Sequence, residues 1–147
     1  MSVDTRFPDA EAYAAETARH APGEAVDLRA EHAAVTAAYQ NRVMLDFNDH
    51  CLRLAVFEGP YRWHRHPDSD ELFLVVEGEL EIELAGCAPV RLAPGQAFVV
   101  AANTVHRTRG IGRTVNLTCE RQAARTEFVD GPQDAAGNDL ASAPDSG

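Results

Sequence analysis

The stretch Tyr61 to Gly78, YRWHRHPDSDELFLVVEG, constrains this chain more than any other. His64 and His66 are separated by one residue. In an extended strand successive side chains alternate between faces, so both imidazoles leave the same side. Pro67 to Asp70 form a short loop, and Glu71 opens an apolar run, Leu72 to Val76. Gly78 follows, a hairpin glycine that takes positive φ without steric cost. An antiparallel barrel built this way aims two imidazoles and a carboxylate at one interior point. His106, further along, is a fourth candidate ligand.

The rest of the chain reads as strands with few helices. RVMLDF, a turn at Asn48-Asp49 and CLRLAVFEG form a hairpin. In its second arm Leu52, Leu54 and Val56 alternate with Arg53, Ala55 and Phe57. ELEIEL is a half-buried strand whose glutamates, Glu79, Glu81 and Glu83, are expected to face solvent. VRL, QAFVVAA, TVNLTCE and EFVD supply further short strands, and Pro94-Gly95 fits a type II turn. About eight short strands with frequent turns imply an all-β closed barrel or jelly roll. Residues 1–24 are an expected helical extension: Pro8 and Asp9 start a helix over Glu11 to Arg19, and Pro22-Gly23 stop it. A second helical patch is expected over Leu28 to Tyr39. The barrel is assigned to residues 25–130. The small, polar, turn-rich segment 131–147 is expected to be a disordered tail.

Charge removes several classes of function. The formal net charge is -10, which disfavours both nucleic acid and anionic membrane as partners. All 13 basic residues are arginine. That composition points to a GC-rich coding sequence and a bacterial source, and it excludes Schiff-base lysine chemistry. No apolar run is long enough for a transmembrane helix, and the N-terminus lacks signal-peptide features. Cys51, Cys87 and Cys119 have no disulfide-scaffold or metal spacing. A reduced cytoplasmic setting is expected, with Cys51 and Cys119 as packing residues. His20, His32 and His50 are expected at the surface.

Gly59, His64, His66, Glu71 and Gly78 match in order the first motif of the cupin superfamily, and the chain resembles a small single-domain cupin. Trp63-His64-Arg65-His66 and Asp70-Glu71-Leu72-Phe73 are similar to compact cupins termed mannose-6-phosphate-isomerase-like. The second motif departs from the family. Gly95 is followed by Ala101 and Asn103 where proline and glycine are usual, and Gly110 replaces the terminal asparagine. Asparagine tolerates left-handed backbone, so the turn before His106 can survive. The resemblance spans about residues 25 to 128. It implies a double-stranded β-helix in which His64, His66, Glu71 and His106 bind one divalent transition metal: iron, manganese, nickel, cobalt or zinc. Two adjacent metal positions would remain for water, dioxygen or substrate.

Strand parity then names candidate pocket residues. Arg62 and Thr108 are candidate polar contacts, with a rim salt bridge as the other reading of Arg62. Phe73 and Val75 are candidate apolar walls. Tyr61 and Trp63 fall on the opposite parity and are expected to pack outside the cavity. Arg107 and Arg109 are expected outside or on the rim. The resemblance implies a metal-dependent enzyme acting on a small organic molecule, of dioxygenase, isomerase, cyclase or lyase type. A non-catalytic binding or sensing module is the alternative. A homodimer paired through N-terminal strands is also implied, because an uncovered sheet edge invites pairing.

Overall fold

The computed structural model describes residues 7–131, so all of the expected tail except Gly131 lies outside the described residues. Two short helices, α1 (Ala10–Ala15) and α2 (Leu28–Ala33), precede the strands. These are β1 (Tyr39–Phe47), β2 (His50–Pro60), β3 (His64–Arg65), β4 (Glu71–Leu84), β5 (Val90–Leu92), β6 (Ala97–Val100), β7 (His106–Arg121) and β8 (Glu127–Phe128). They form one eight-stranded sheet. Its hub is β7, which pairs antiparallel with β2, β3 and β4. β4 in turn pairs with β5 and β6, so the sheet curls into an all-β double-stranded β-helix.

LFLVVEG and ELEIEL, expected as separate strands, are one 14-residue strand, β4. The hairpin expected at Gly78 is instead a corner within that strand. The ladder to β7 shifts register between Val75 and Glu77 and again between Glu77 and Glu79. Gly78 sits in the second shift with φ +82°, and a Cβ there would come within 2.5 Å of the Arg113 carbonyl oxygen. Only glycine satisfies both the backbone angle and the close approach. The corner lets β4 and β7 stay paired along both halves, which brings the start of β4 beside the metal-motif histidines.

β2 is buried on both faces, which explains its nearly continuous apolar run. Ala55 and Phe57 enter an inner cluster with Phe73, Val75, Leu80 and Ile82. Leu54 and Val56 enter an outer cluster with Met44 and Val115, covered by Leu28 and Val35 around α2. Asp27 caps α2 by accepting from the amides of Arg29 and Ala30. The expected hairpin at Asn48 is present, with φ 51° there and β1 and β2 antiparallel.

Both helices are shorter than their sequence patterns predict. α1 ends at Ala15 because the Glu16 carboxylate turns to accept from the Val43 amide and the Arg53 guanidinium. α2 ends at Ala33, and Tyr39 opposes Phe57 in the β1–β2 ladder. Residues 19 and 20 run along β1, donating from the Arg19 and His20 amides to the Val43 and Met44 carbonyls. Part of the edge expected to pair with a second copy is therefore covered by the chain itself. Glu81, expected in solvent, is 5% exposed and ion-paired to Arg91 at 3.0 Å. His20 and His32 are half-buried, the former between Glu24 and Glu31. Among the described residues, no helix is long and apolar enough to cross a membrane.

Candidate metal centre

Strand ends from three parts of the chain converge on one point. β3 carries His64 and continues to His66, with both side chains buried. His106 opens β7 directly opposite His64. Glu71 opens β4. One ligand atom from each of the four lies within 4.8 Å of every other. The amide of Asn103 donates to the His66 carbonyl at 2.7 Å, and Asn103 has φ +64°. The left-handed turn expected before His106 is thus made by asparagine.

The hydrogen bonds fix which ring nitrogen faces inward. A carbonyl can only accept, so each contacting Nδ1 must carry the proton. Nδ1 of His64 donates to the Arg62 carbonyl at 2.8 Å, that of His66 to the Arg125 carbonyl at 3.0 Å, and that of His106 to the Thr104 carbonyl at 2.8 Å. In the neutral ring this leaves each Nε2 as a lone-pair donor. The Nε2 atoms of His106 and His66 lie 3.2 and 3.4 Å from Glu71 Oε1. His66 Nε2 has no well-aligned hydrogen-bond partner among the described residues. Three oriented imidazoles and one carboxylate form a donor set that fits a divalent transition metal.

Electrostatics in the metal-free protein follow from crowding these groups in a buried space. Burial, with the neighbouring His106, pushes the His64 imidazole down to about 3. Burial also opposes charge on His66, but the Glu71 and Glu120 carboxylates outweigh it and raise the ring to about 9. Burial would raise Glu71, yet His66 and His106 hold it well below the usual carboxylate range. Glu120 rises to about 7, through burial first and then repulsion from Glu71.

Two small lobes, each about 50 Å³, meet at His64 and Glu71. The outer lobe is lined by Arg53, Tyr61, His66 and Glu120. The inner lobe is lined by Phe73, Thr108, Asn116 and Thr118. Of the candidate pocket residues, Phe73 and Thr108 border the cavity. Val75 lies in the inner hydrophobic cluster. Arg62 places its guanidinium over the Phe128 ring, 3.7 Å from the centroid. Trp63 lies under the Arg107 guanidinium.

Tyr61, expected outside, is instead edge-on to His64 with ring centroids 5.2 Å apart. Residues 61–63 are not in a strand, so the parity of His64 does not extend back to them. Tyr61 stacks on Tyr39, whose hydroxyl is hydrogen-bonded to that of Tyr13. Burial raises all three phenols, which stay protonated.

Arg53 and Glu120 were missed altogether. Arg53 is 5% exposed and contacts Glu120 at 3.0 Å, Glu16 at 2.9 Å and the Tyr13 carbonyl at 3.0 Å. Glu120 Oε2 lies 3.7 Å from His66 Nε2 and has no hydrogen-bond partner among the described residues. Parity would have found both. Arg53 shares the face of Ala55 and Phe57, and Glu120 shares that of His106.

The cupin domain family model matches residues 55–118. The uncharacterized protein YdbB of Bacillus subtilis is 46% identical over 96 residues, covering 65% of this chain and 85% of that protein. A cupin-2 domain containing protein from Shewanella frigidimarina superposes with a TM-score of 0.62 at 25% identity, over 65% of this chain and 93% of its own. KdgF from a Halomonas species superposes with a TM-score of 0.53 at 26% identity, over 60% of this chain and 83% of its own.

Proposed function

The chain belongs to the cupin family, and from that premise we propose a metal-dependent enzyme acting on a small organic molecule inside the barrel. One observation carries the reading. The three imidazoles have committed Nδ1 to backbone carbonyls and turn Nε2 toward the Glu71 carboxylate. His64, His66, Glu71 and His106 would hold the metal, which supplies Lewis-acid or redox chemistry when bound.

The chain's own residues supply the rest. Tyr61 and Phe73 close apolar surface around the centre and limit access of water. Glu120 is a carboxylate beyond the ligand set, anchored through Oε1 by Arg53. Its Oε2 has no hydrogen-bond partner among the described residues and can take a proton from, or return one to, a bound molecule. A group of this kind is needed for turnover and not for simple sequestration, which favours the enzyme over the binding module.

The test is elemental analysis of untagged protein prepared anaerobically, with all first-row metals quantified together. About one equivalent of a single metal is expected, and it should be lost in His64→Ala and His106→Ala while the far-ultraviolet spectrum of the barrel persists. Full stoichiometry in both variants would overturn the ligand assignment. Iron would direct the substrate screen to oxygen uptake, and zinc, nickel or manganese to isomerase, cyclase and lyase reactions.

A further inference from the structure

β7 carries a pair of groups that the ligand set does not use. Asn116 and Thr118 are two residues apart and so share the inner face of the strand. They are 2% and 4% exposed. Asn116 Oδ1 and Thr118 Oγ1 find no hydrogen-bond partner among the described residues. Both line the inner lobe beside His64 and Glu71. Buried amides and hydroxyls are hydrogen-bonded in nearly all folded proteins. A strand selected only for packing would carry aliphatic residues here, as this one does on its other face at Val115 and Leu117.

The chemistry of the pair narrows what it would recognise. Neither group is charged, and the ionic pair of the cavity, Arg53 and Glu120, lines the other lobe. An amide oxygen needs a donor, and a threonine hydroxyl can both give and accept. A ligand hydroxyl satisfies both. Size is limited as well. The lobes are about 50 Å³ each and admit only a small ligand.

We propose that Asn116 and Thr118 form a recognition ledge for a hydroxyl group of a small hydroxylated ligand whose other end lies at the four-ligand centre. The assignment rests on the metal-centre reading above. It makes the ledge a specificity determinant, distinguishing hydroxylated from plain aliphatic ligands of the same length.

The test uses the full chain loaded with Mn(II) and titrated calorimetrically with butyrate, 3-hydroxybutyrate and 3,4-dihydroxybutyrate, none of which has a hydroxyl on the carbon next to the carboxylate. Affinity should rise with hydroxyl count, the dihydroxy acid binding at least about tenfold tighter than butyrate. In the double variant Asn116→Leu/Thr118→Val the ratio should fall below about threefold, with metal stoichiometry unchanged. A second readout needs no ligand. The apolar isosteres remove unpaired buried polar atoms, so the denaturation midpoint of the ligand-free variant should rise, whereas groups with a structural role would lower it on replacement. A flat series in the wild type, or a preference that survives in the variant, overturns the ledge. Wild-type protein that takes up no metal overturns the centre and the ledge together. Full metal loading with a flat series overturns the ledge alone.

Discussion

The two faces of β7 differ in burial and, along its second half, in chemistry. Outward, Val115 is fully buried and packs with Met44, Leu54 and Val56, with Leu117 against them. Inward, His106, Thr108, Thr114, Asn116, Thr118 and Glu120 are all buried and all polar. The usual arrangement of a barrel strand, apolar inside and polar outside, is reversed along its second half. The outer face has α2 laid over it and holds the sheet together. The inner face surrounds the lobes and presents chemistry. Burial by itself therefore does not separate core from site here. Whether a buried polar atom has a partner does.

The largest effect should come from Arg53, an inward residue of β2 that is also structural. Arg53→Met removes the cation shared by Glu120, Glu16 and the Tyr13 carbonyl. Breaking a buried pair typically costs about 3–5 kcal/mol, and denaturant unfolding of the variant should show a loss of that order. If the loss were close to that of a surface pair, Arg53 would belong with the site residues alone. Next is Leu54→Ala on the outer face, 3% exposed in the wild type. It should cost about 2–5 kcal/mol and leave metal stoichiometry unchanged. A drop in metal content would break the division between the faces. His106→Ala should do the reverse, weakening metal binding by at least about 100-fold with a smaller change in the metal-free unfolding midpoint.

The pH dependence of the metal-free protein sharpens the same contrast, because the inward groups His64, His66 and Glu120 are strongly shifted. His66 is raised to about 9, so its contribution is complete below its ordinary value of about 6.5 and is lost as pH rises through 9. Glu120, raised to about 7, disfavours folding as pH climbs from about 4.5 through 7. On the acid side Glu71, held low, loses its contribution as pH falls below about 4.5. His64, held near 3, disfavours folding as the unfolded chain takes up a proton below about 6.5. Between about 4.5 and 6.5 the slopes of Glu120 and His64 oppose, so stability should plateau there and fall on both sides. Metal uptake requires neutral His66, so affinity should rise with pH up to about 9, opposite to the stability of the metal-free chain above about 6.5. Stability monotonic across pH 4 to 9 would contradict this charge arrangement. The smallest effect belongs to the exposed Arg113–Glu77 pair at 3.3 Å. Arg113→Ala should change stability by less than about 1 kcal/mol in denaturant titrations.

The sequence by itself determined the strand class, the turns at Asn48 and Asn103, and the four candidate ligands. These signals are local: a one-residue spacing places two imidazoles on one face, and asparagine marks a left-handed turn wherever the chain goes next. Parity also placed Phe73 and Thr108 at the cavity. It failed for Tyr61, because the residues before His64 leave the strand and break the alternation. Parity turns Arg53 and Glu120 inward as well, but their pairing, across 67 positions in sequence and 3.0 Å in space, leaves no local signal. Only the tertiary structure decided that β4 and β7 each turn a corner without ending, that residues 19–20 cover part of the β1 edge, and that the inner face of β7 is polar and buried. Those facts depend on which backbones meet, and a pattern of residue types along one strand contains no information about the atoms standing opposite it.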